Sequence, residues 1–318
     1  MLLPRDRRGH ERCCLIAAIV ALMLGVSGPA EVRAAAKPAP AQEYELKLRC
    51  SPDYLAGLPM VVEVELHNRG KAFEQIPFFD LVTSPSAVSF ELSGQGRRWR
   101  WPERAPRAGS ETAGVQLNPG MRWLALQDLS ELHPNLPPGR YTLTASILLL
   151  GQRARAAPAT VHIKPLARSD RPVIDRLRPK NDHHRPSWVS FLTENWKAPD
   201  IAKLSAKARQ HLAFHLFLHR AAYGPLPPAK LDPDATKAFA HGIFAGWAAL
   251  IRLEILRAAG RPEAEGLESD LRKHSPEFTW WIDQVRAGAG LLTRYRRLYG
   301  VESPYAPTDG PRPYSASK

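Results

Sequence analysis

The chain has 318 residues with 44 Lys/Arg against 31 Asp/Glu, a formal net charge of +13, and three cysteines. Two of those cysteines, Cys13 and Cys14, lie in the N-terminal segment, so an intramolecular disulfide framework is excluded for the remainder. The length exceeds what one small core organises, and two domains are the expectation.

Arg5, Arg7, Arg8 and Arg12 precede a fourteen-residue apolar run, Cys13 to Val26, and small residues follow at Ala30, Ala34 and Ala36. That order of basic, apolar and small-residue regions is the layout of a secretory signal peptide, here residues 1–36. The run is shorter than the ~20 apolar residues of a spanning helix. The expectation is therefore an exported bacterial protein, periplasmic or secreted, without a transmembrane span in its mature part. Residues 1–36 carry five Lys/Arg and three Asp/Glu, so the remainder keeps 39 basic against 28 acidic side chains, +11 net, and Cys50 as its cysteine. Cys50 falls on the apolar phase of a strand pattern, which points to packing rather than reactivity. Export argues against a physiological nucleic-acid role in spite of the basic charge.

From Tyr44 to about residue 164 the period is two. Tyr44, Leu46, Leu48 and Cys50 alternate with Glu45, Lys47 and Arg49; Val62, Val64 and Leu66 alternate with Glu63, Glu65 and His67. Val88, Phe90 and Leu92 repeat the pattern before Gly94-Gln95-Gly96, and Tyr141, Leu143, Ala145, Ile147 and Leu149 form a last clear strand. Such strands, with no helical run between most of them, predict an antiparallel sandwich over 43–165. The turn residues Leu117, Pro119 and Gly120, then Pro138, Gly139 and Tyr141, with LAGLPMVVEVELHNRG upstream, carry a resemblance. This stretch resembles the bacterial immunoglobulin-like β-sandwich domains, although the paired cysteines of antibody-type domains are missing. The resemblance implies a fold that hosts adhesion, chaperoning, inhibition or spacing, and so does not choose a function.

Within the sandwich, RRWRW interleaves guanidinium groups and indoles. Period two places Trp99 and Trp101 on one strand face and Arg98 and Arg100 on the other. Arg97, Arg98, Trp99, Arg100 and Trp101 are thus candidates for binding an anionic ligand; the alternative is tryptophans packed on the sandwich beneath solvated arginines.

Residues 166–187 are basic and proline-punctuated, as a linker is; Asp182-His183-His184 within them is weak evidence for a site. From 188 to 300 the period becomes helical and predicts a small α-helical bundle. Helices are expected over Asp200–Tyr223, from Asp232-Pro233 to Gly260, from near Pro262, and after Ser275-Pro276. The Pro/Gly/Ser-rich residues 301–318 read as a disordered tail. The fold class expected is therefore α+β multidomain, an N-terminal antiparallel immunoglobulin-like sandwich followed by a C-terminal helical bundle.

His211, His215 and His219 recur at every fourth position of the first helix. Residues four apart rotate by ~40°, so the three form a stripe along one face. The outer two stand ~12 Å apart along the axis, too far to share one ion. A neighbouring pair can share one, and a hairpin centred near residue 228 brings His241 level with His215. Against this metal reading stand Leu212, Phe214, Leu216, Phe217 and Leu218, which make the helix one of buried packing. The zinc-protease motif is missing because Leu212 sits where its glutamate would be. No nucleophile elbow, phosphate loop or dinucleotide fingerprint occurs either. The sequence thus favours a non-catalytic binding or envelope-associated protein, with an envelope protein or anionic envelope polymer as partner and no cofactor. The alternative is a transition-metal-binding protein or metal-dependent hydrolase that uses the histidines.

Overall fold

The computed structural model describes residues 43–72, 74–77, 88–101, 114–129, 136–149, 152–177, 198–224 and 226–299. The expected signal peptide, the Asp182-His183-His184 triplet and the 301–318 tail lie outside them.

The strands are β1 (Tyr44–Cys50), β2 (Asp53–Leu55), β3 (Val61–Asn68), β4 (Glu74–Pro77), β5 (Val88–Gly94), β6 (Arg97–Trp101), β7 (Gly114–Leu117), β8 (Arg122–Asp128), β9 (Gly139–Leu149), β10 (Gln152–Arg155) and β11 (Ala159–Lys164). β1, β3 and β8 make a three-stranded sheet in that order. A six-stranded sheet runs β2–β11–β9–β5–β6, with β10 also on β9, and β4 pairs with β7. The alternating residues read from the sequence fill the space between the two larger sheets: Tyr44, Leu46, Val62 and Val64 from one, Phe90, Leu92, Leu143 and Ile147 from the other. The β5–β6 hairpin turns on Gln95 and Gly96, with φ of 52° and 70°; a two-residue loop with both central residues in the left-handed region matches the strand twist.

The helices are α1 (Arg171–Leu177), α2 (Ala198–Ala202), α3 (Ala206–Tyr223), α4 (Ala245–Ala258), α5 (Glu263–His274), α6 (Thr279–Arg286) and α7 (Leu291–Tyr299), with short 3-10 turns at Pro233–Phe239, Gly242–Phe244 and Pro276–Phe278. Among the described residues no helix is long and apolar enough to cross a membrane.

Two observations overturn the expected fold class. The six-stranded sheet is not purely antiparallel, because β2 runs parallel to β11, pairing Asp53 with His162 and Leu55 with Lys164. The helices, moreover, do not close a separate bundle. Val61, Leu124 and Leu126, on the outer side of the three-stranded sheet, belong to the same apolar core as Trp247, Ile251, Trp281 and Ile282. The architecture is layered: six-stranded sheet, three-stranded sheet, helices. β3 is consequently buried on both faces, every residue from Val61 to Leu66 included. Its outer-face glutamates, which alternation assigns to solvent, are covered: Glu63 and Glu65 are 2% and 1% exposed.

Those two carboxylates are held by specific partners. Arg49 bridges Glu63 and Glu65 at 3.1 Å each, Lys47 reaches Glu65 at 3.3 Å, and the Trp247 indole N–H donates to Glu63 at 2.7 Å. Burial still pushes the Glu63 carboxyl above its ordinary range, opposed by the indole and by Arg49. Trp281 donates its indole N–H to the Leu124 carbonyl at 2.8 Å, a second bond from helix to sheet.

Trp247→Phe keeps much of the ring contact but takes the indole donor from the buried Glu63, which then keeps Arg49 alone among the described residues. The expected loss is about 2 kcal/mol in urea unfolding. Glu63→Gln in the same background should cost less than the sum of the two single changes, since the pair acts as a unit.

Candidate functional site

α3 carries the histidine stripe, and it is fixed at several points. Ser205 caps it, its hydroxyl accepting from the Ala208 N–H. The buried Asp170 carboxylate in turn accepts from the Ser205 N–H at 2.7 Å and hydroxyl at 2.6 Å. At the far end Arg296 donates to the Ala221 carbonyl at 2.5 Å. Between them the Nε2–H of His211 donates to the Pro59 carbonyl at 2.6 Å, which ties the helix to the β2–β3 connection.

A cavity of about 260 Å³ lies beside this helix. His211, His215 and His241 all line it, together with Tyr54, Phe239 and Phe244. His219, one turn beyond His215, is off its wall. His241 does not sit on a helix. It precedes the Gly242–Phe244 turn, where the chain reverses through Gly242 at φ 53° before α4 begins. The structure therefore brings together three of the four histidines singled out in the sequence. Among the described residues no group of three or more His, Cys, Asp or Glu side chains is arranged to hold a metal ion.

Burial keeps the three imidazoles of α3 neutral. Desolvation pushes His215 down to about 3 and His219 down to about 4, the latter helped by the Arg220 charge. His211 is also lowered by burial, partly offset by its bond to Pro59. His215 is 4% exposed, and its Nε2 is buried with no hydrogen-bond partner among the described residues. The nearby Tyr54 hydroxyl is engaged, donating to the Val61 carbonyl at 2.7 Å and accepting from the Ser51 N–H at 3.0 Å.

The basic-aromatic strand lies elsewhere, as β6 at the edge of the six-stranded sheet. Trp99 is half-buried against the sandwich core, edge-on to Tyr141 at 5.6 Å, so it packs rather than faces a ligand. Trp101 ends the strand opposite Phe90, and its side chain lies outside the described residues. Arg97 is exposed at the hairpin. Arg98 and Arg100 point outward and share one carboxylate, Glu91, at 3.1 and 2.8 Å.

Arg100 also borders a groove of about 610 Å³ on the outer sheet face. Arg153 and Arg155 of β10 border it too, with the hydroxyls of Ser89, Thr144 and Ser146 between. Neither β10 arginine has an ion pair among the described residues. These two residues were missed in the sequence, although the alternation Arg153-Ala154-Arg155 after a strand is the signal that finds them. Cys50 is free and half-buried, and burial raises its thiol.

No family model matches the chain, and no curated protein matches it. Among solved structures, a mutant β-glucosidase from Listeria innocua in complex with laminaribiose is similar over 38% of this chain and 16% of that one. The identity there is 16% and the TM-score 0.25, so the likeness carries no argument about fold or activity.

The neutral histidines make stability depend on pH. Between the ordinary value of 6.5 and about 3, the unfolded chain binds a proton at His215 that the folded chain refuses. Stability is therefore full above 6.5 and falls as the pH drops, by up to ~1.4 kcal/mol per pH unit for this group. Urea midpoints at pH 7, 6 and 5 should decline accordingly, and His215→Phe should flatten the decline.

Proposed function

We propose that this protein works outside the cytoplasm as a non-catalytic binding protein, taking an anionic polymer of the cell envelope on the outer face of its six-stranded sheet. The observation that carries the reading is the groove bordered by Arg100, Arg153 and Arg155. One carboxylate, Glu91, serves both Arg98 and Arg100, so the face is net positive. Its floor of serine and threonine hydroxyls offers donors and acceptors to sugar or phosphate oxygens without a hydrophobic demand. Guanidinium groups recognise carboxylate and phosphate through paired N–H bonds, which suits a repeating anionic chain. The basic leader and short apolar run support the location, and the +11 charge of the remainder supports attraction to an acidic surface.

The mature chain should bind dextran sulfate in calorimetry, more weakly as salt rises from 50 to 300 mM. Arg153→Glu with Arg155→Glu should lower the affinity by about tenfold or more and make the salt dependence shallower, with the fold unchanged. Equal affinity in the double variant removes this face from the interaction. Recovery of the full leader on the protein in the cytoplasmic fraction would remove the location.

A further inference from the structure

The cavity beside α3 shares no lining residue with the groove proposed for the polymer, and its composition defines a second site. We propose that it binds a small aromatic carboxylate, with the ring inside the cavity and the carboxylate at the mouth against the ammonium of Lys207.

The interior selects the ring. A cavity of about 150 Å³ with apolar walls holds benzene, so about 260 Å³ accepts a six-membered ring with a substituent. Val61, Phe239, Ile243 and Phe244 line the space. Phe244 is fixed by stacking on Phe214 at 4.6 Å with the planes 20° apart, and Phe239 meets the same ring edge-on at 5.3 Å. The polar atoms of the buried wall are spent or sealed. His211 uses its Nε2–H on Pro59, Tyr54 uses its hydroxyl on Val61 and Ser51, and Nε2 of His215 is closed off from the space. Burial also holds His211 and His215 neutral, so neither supplies a counter-ion inside. An interior of this kind takes an aromatic body and refuses a charge.

The mouth selects the carboxylate. Lys207, Gln210 and His241 line the same cavity and are exposed, so a ligand in it can reach their polar ends. None of these three side chains has a hydrogen bond or ion pair among the described residues. Lys207 and Gln210 stand three positions apart on α3, which puts them on one face of it. His241 comes from the start of the Gly242–Phe244 turn. The ammonium stands close to the wall: burial is the main cause of the depressed His211 value, and the Lys207 charge adds to it. Among the described residues no Asp or Glu lines the cavity. Asp53, which also feels Lys207, is taken by Lys164 at 2.6 Å, and the buried Asp128 accepts from the Met60 N–H at 3.2 Å. One uncommitted cation with two further N–H donors beside it is the complement of a carboxylate, whose two oxygens accept several such bonds.

The test compares benzoate with benzamide, which has nearly the same shape but no charge, and with acetate, which has the charge but no ring. The whole mature chain is used, and ring resonances of Phe239 and Phe244 report occupancy of the cavity in NMR titrations at 50 mM salt. Benzoate is expected to shift both rings saturably, with benzamide about fivefold weaker or more and acetate about tenfold weaker or more. Lys207→Met keeps the aliphatic stem of an exposed residue, and should bring benzoate down to the affinity of benzamide without changing the melting temperature. The Arg153→Glu, Arg155→Glu chain should bind benzoate as the unaltered chain does. Equal affinity for benzoate and benzamide overturns the proposal, as does failure of benzoate to move the two phenylalanine rings. Retention of the charge preference in Lys207→Met overturns it as well. Loss of benzoate binding in the double arginine variant overturns it too, by moving the anion to the outer sheet face.

Discussion

The arrangement of the whole molecule depends on how two carboxylates are neutralised on the middle strand of the three-stranded sheet. Glu63 and Glu65 lie under the helical layer, where an isolated carboxylate is strongly unfavourable. Arg49 spans both from the neighbouring strand, Lys47 and Arg122 reach Glu65, and Trp247 comes down from α4 onto Glu63. Apolar contact through Val61, Leu124 and Leu126 attracts the helices without specifying where they sit. The indole-to-carboxylate bond is directional, and it fixes α4 at one place over the sheet.

The same device recurs within the helical layer. Glu254 of α4, 4% exposed, accepts from the Leu292 and Thr293 N–H groups at 2.9 and 2.8 Å and so caps α7 from a distance. Gly290 makes room for it: a Cβ there would stand 2.4 Å from the carboxyl carbon. Glu268 of α5 receives Arg257, Arg272 and Arg286. α7 in turn sends Arg296 back to the carbonyl end of α3. The helices from α3 to α7 are therefore linked by charges on one another, and α3 with its histidines is held at the end of that chain of contacts.

Much of this was legible from residue order, for reasons that differ by element. The long strands announce themselves because Tyr44, Leu46, Val62, Val64, Phe90 and Leu143 alternate with polar residues, and one buried face suffices to place them. What alternation does not reveal is that the other face is buried too. Glu63 and Glu65 read as solvent-facing because their partners, Arg49 and Trp247, are 14 and 184 positions away. The uninterrupted run Trp123-Leu124-Ala125-Leu126 was the available sign of a strand covered on both sides. β2 is three residues long, too short for any period, and so the parallel pairing was invisible. Asp232 and Pro233 do start a turn, but it is 3-10, and the α-helix begins at Ala245 after Gly242 has reversed the chain. The spacing of His211 and His215 pointed to a shared face. The aromatic wall opposite them comes from Tyr54, Phe239 and Phe244, which sequence separation keeps apart.

The shared sheet has a consequence for how the chain acquires its structure. Synthesis delivers all three strands of the three-stranded sheet by Asp128, yet the residues that cover its outer side, Trp247 and Trp281, emerge more than a hundred positions later. In the interval Leu124, Leu126 and two glutamates, paired with Arg49, Lys47 and Arg122 but lacking the indole of Trp247, face water on a half-finished β-surface. Contacts of such long sequence separation are slow to form, because loop closure precedes any reward. A nascent chain of this kind presents a sticky, incomplete face to its neighbours, so a holding factor that keeps it apart until its C-terminal third arrives has a physical reason to exist.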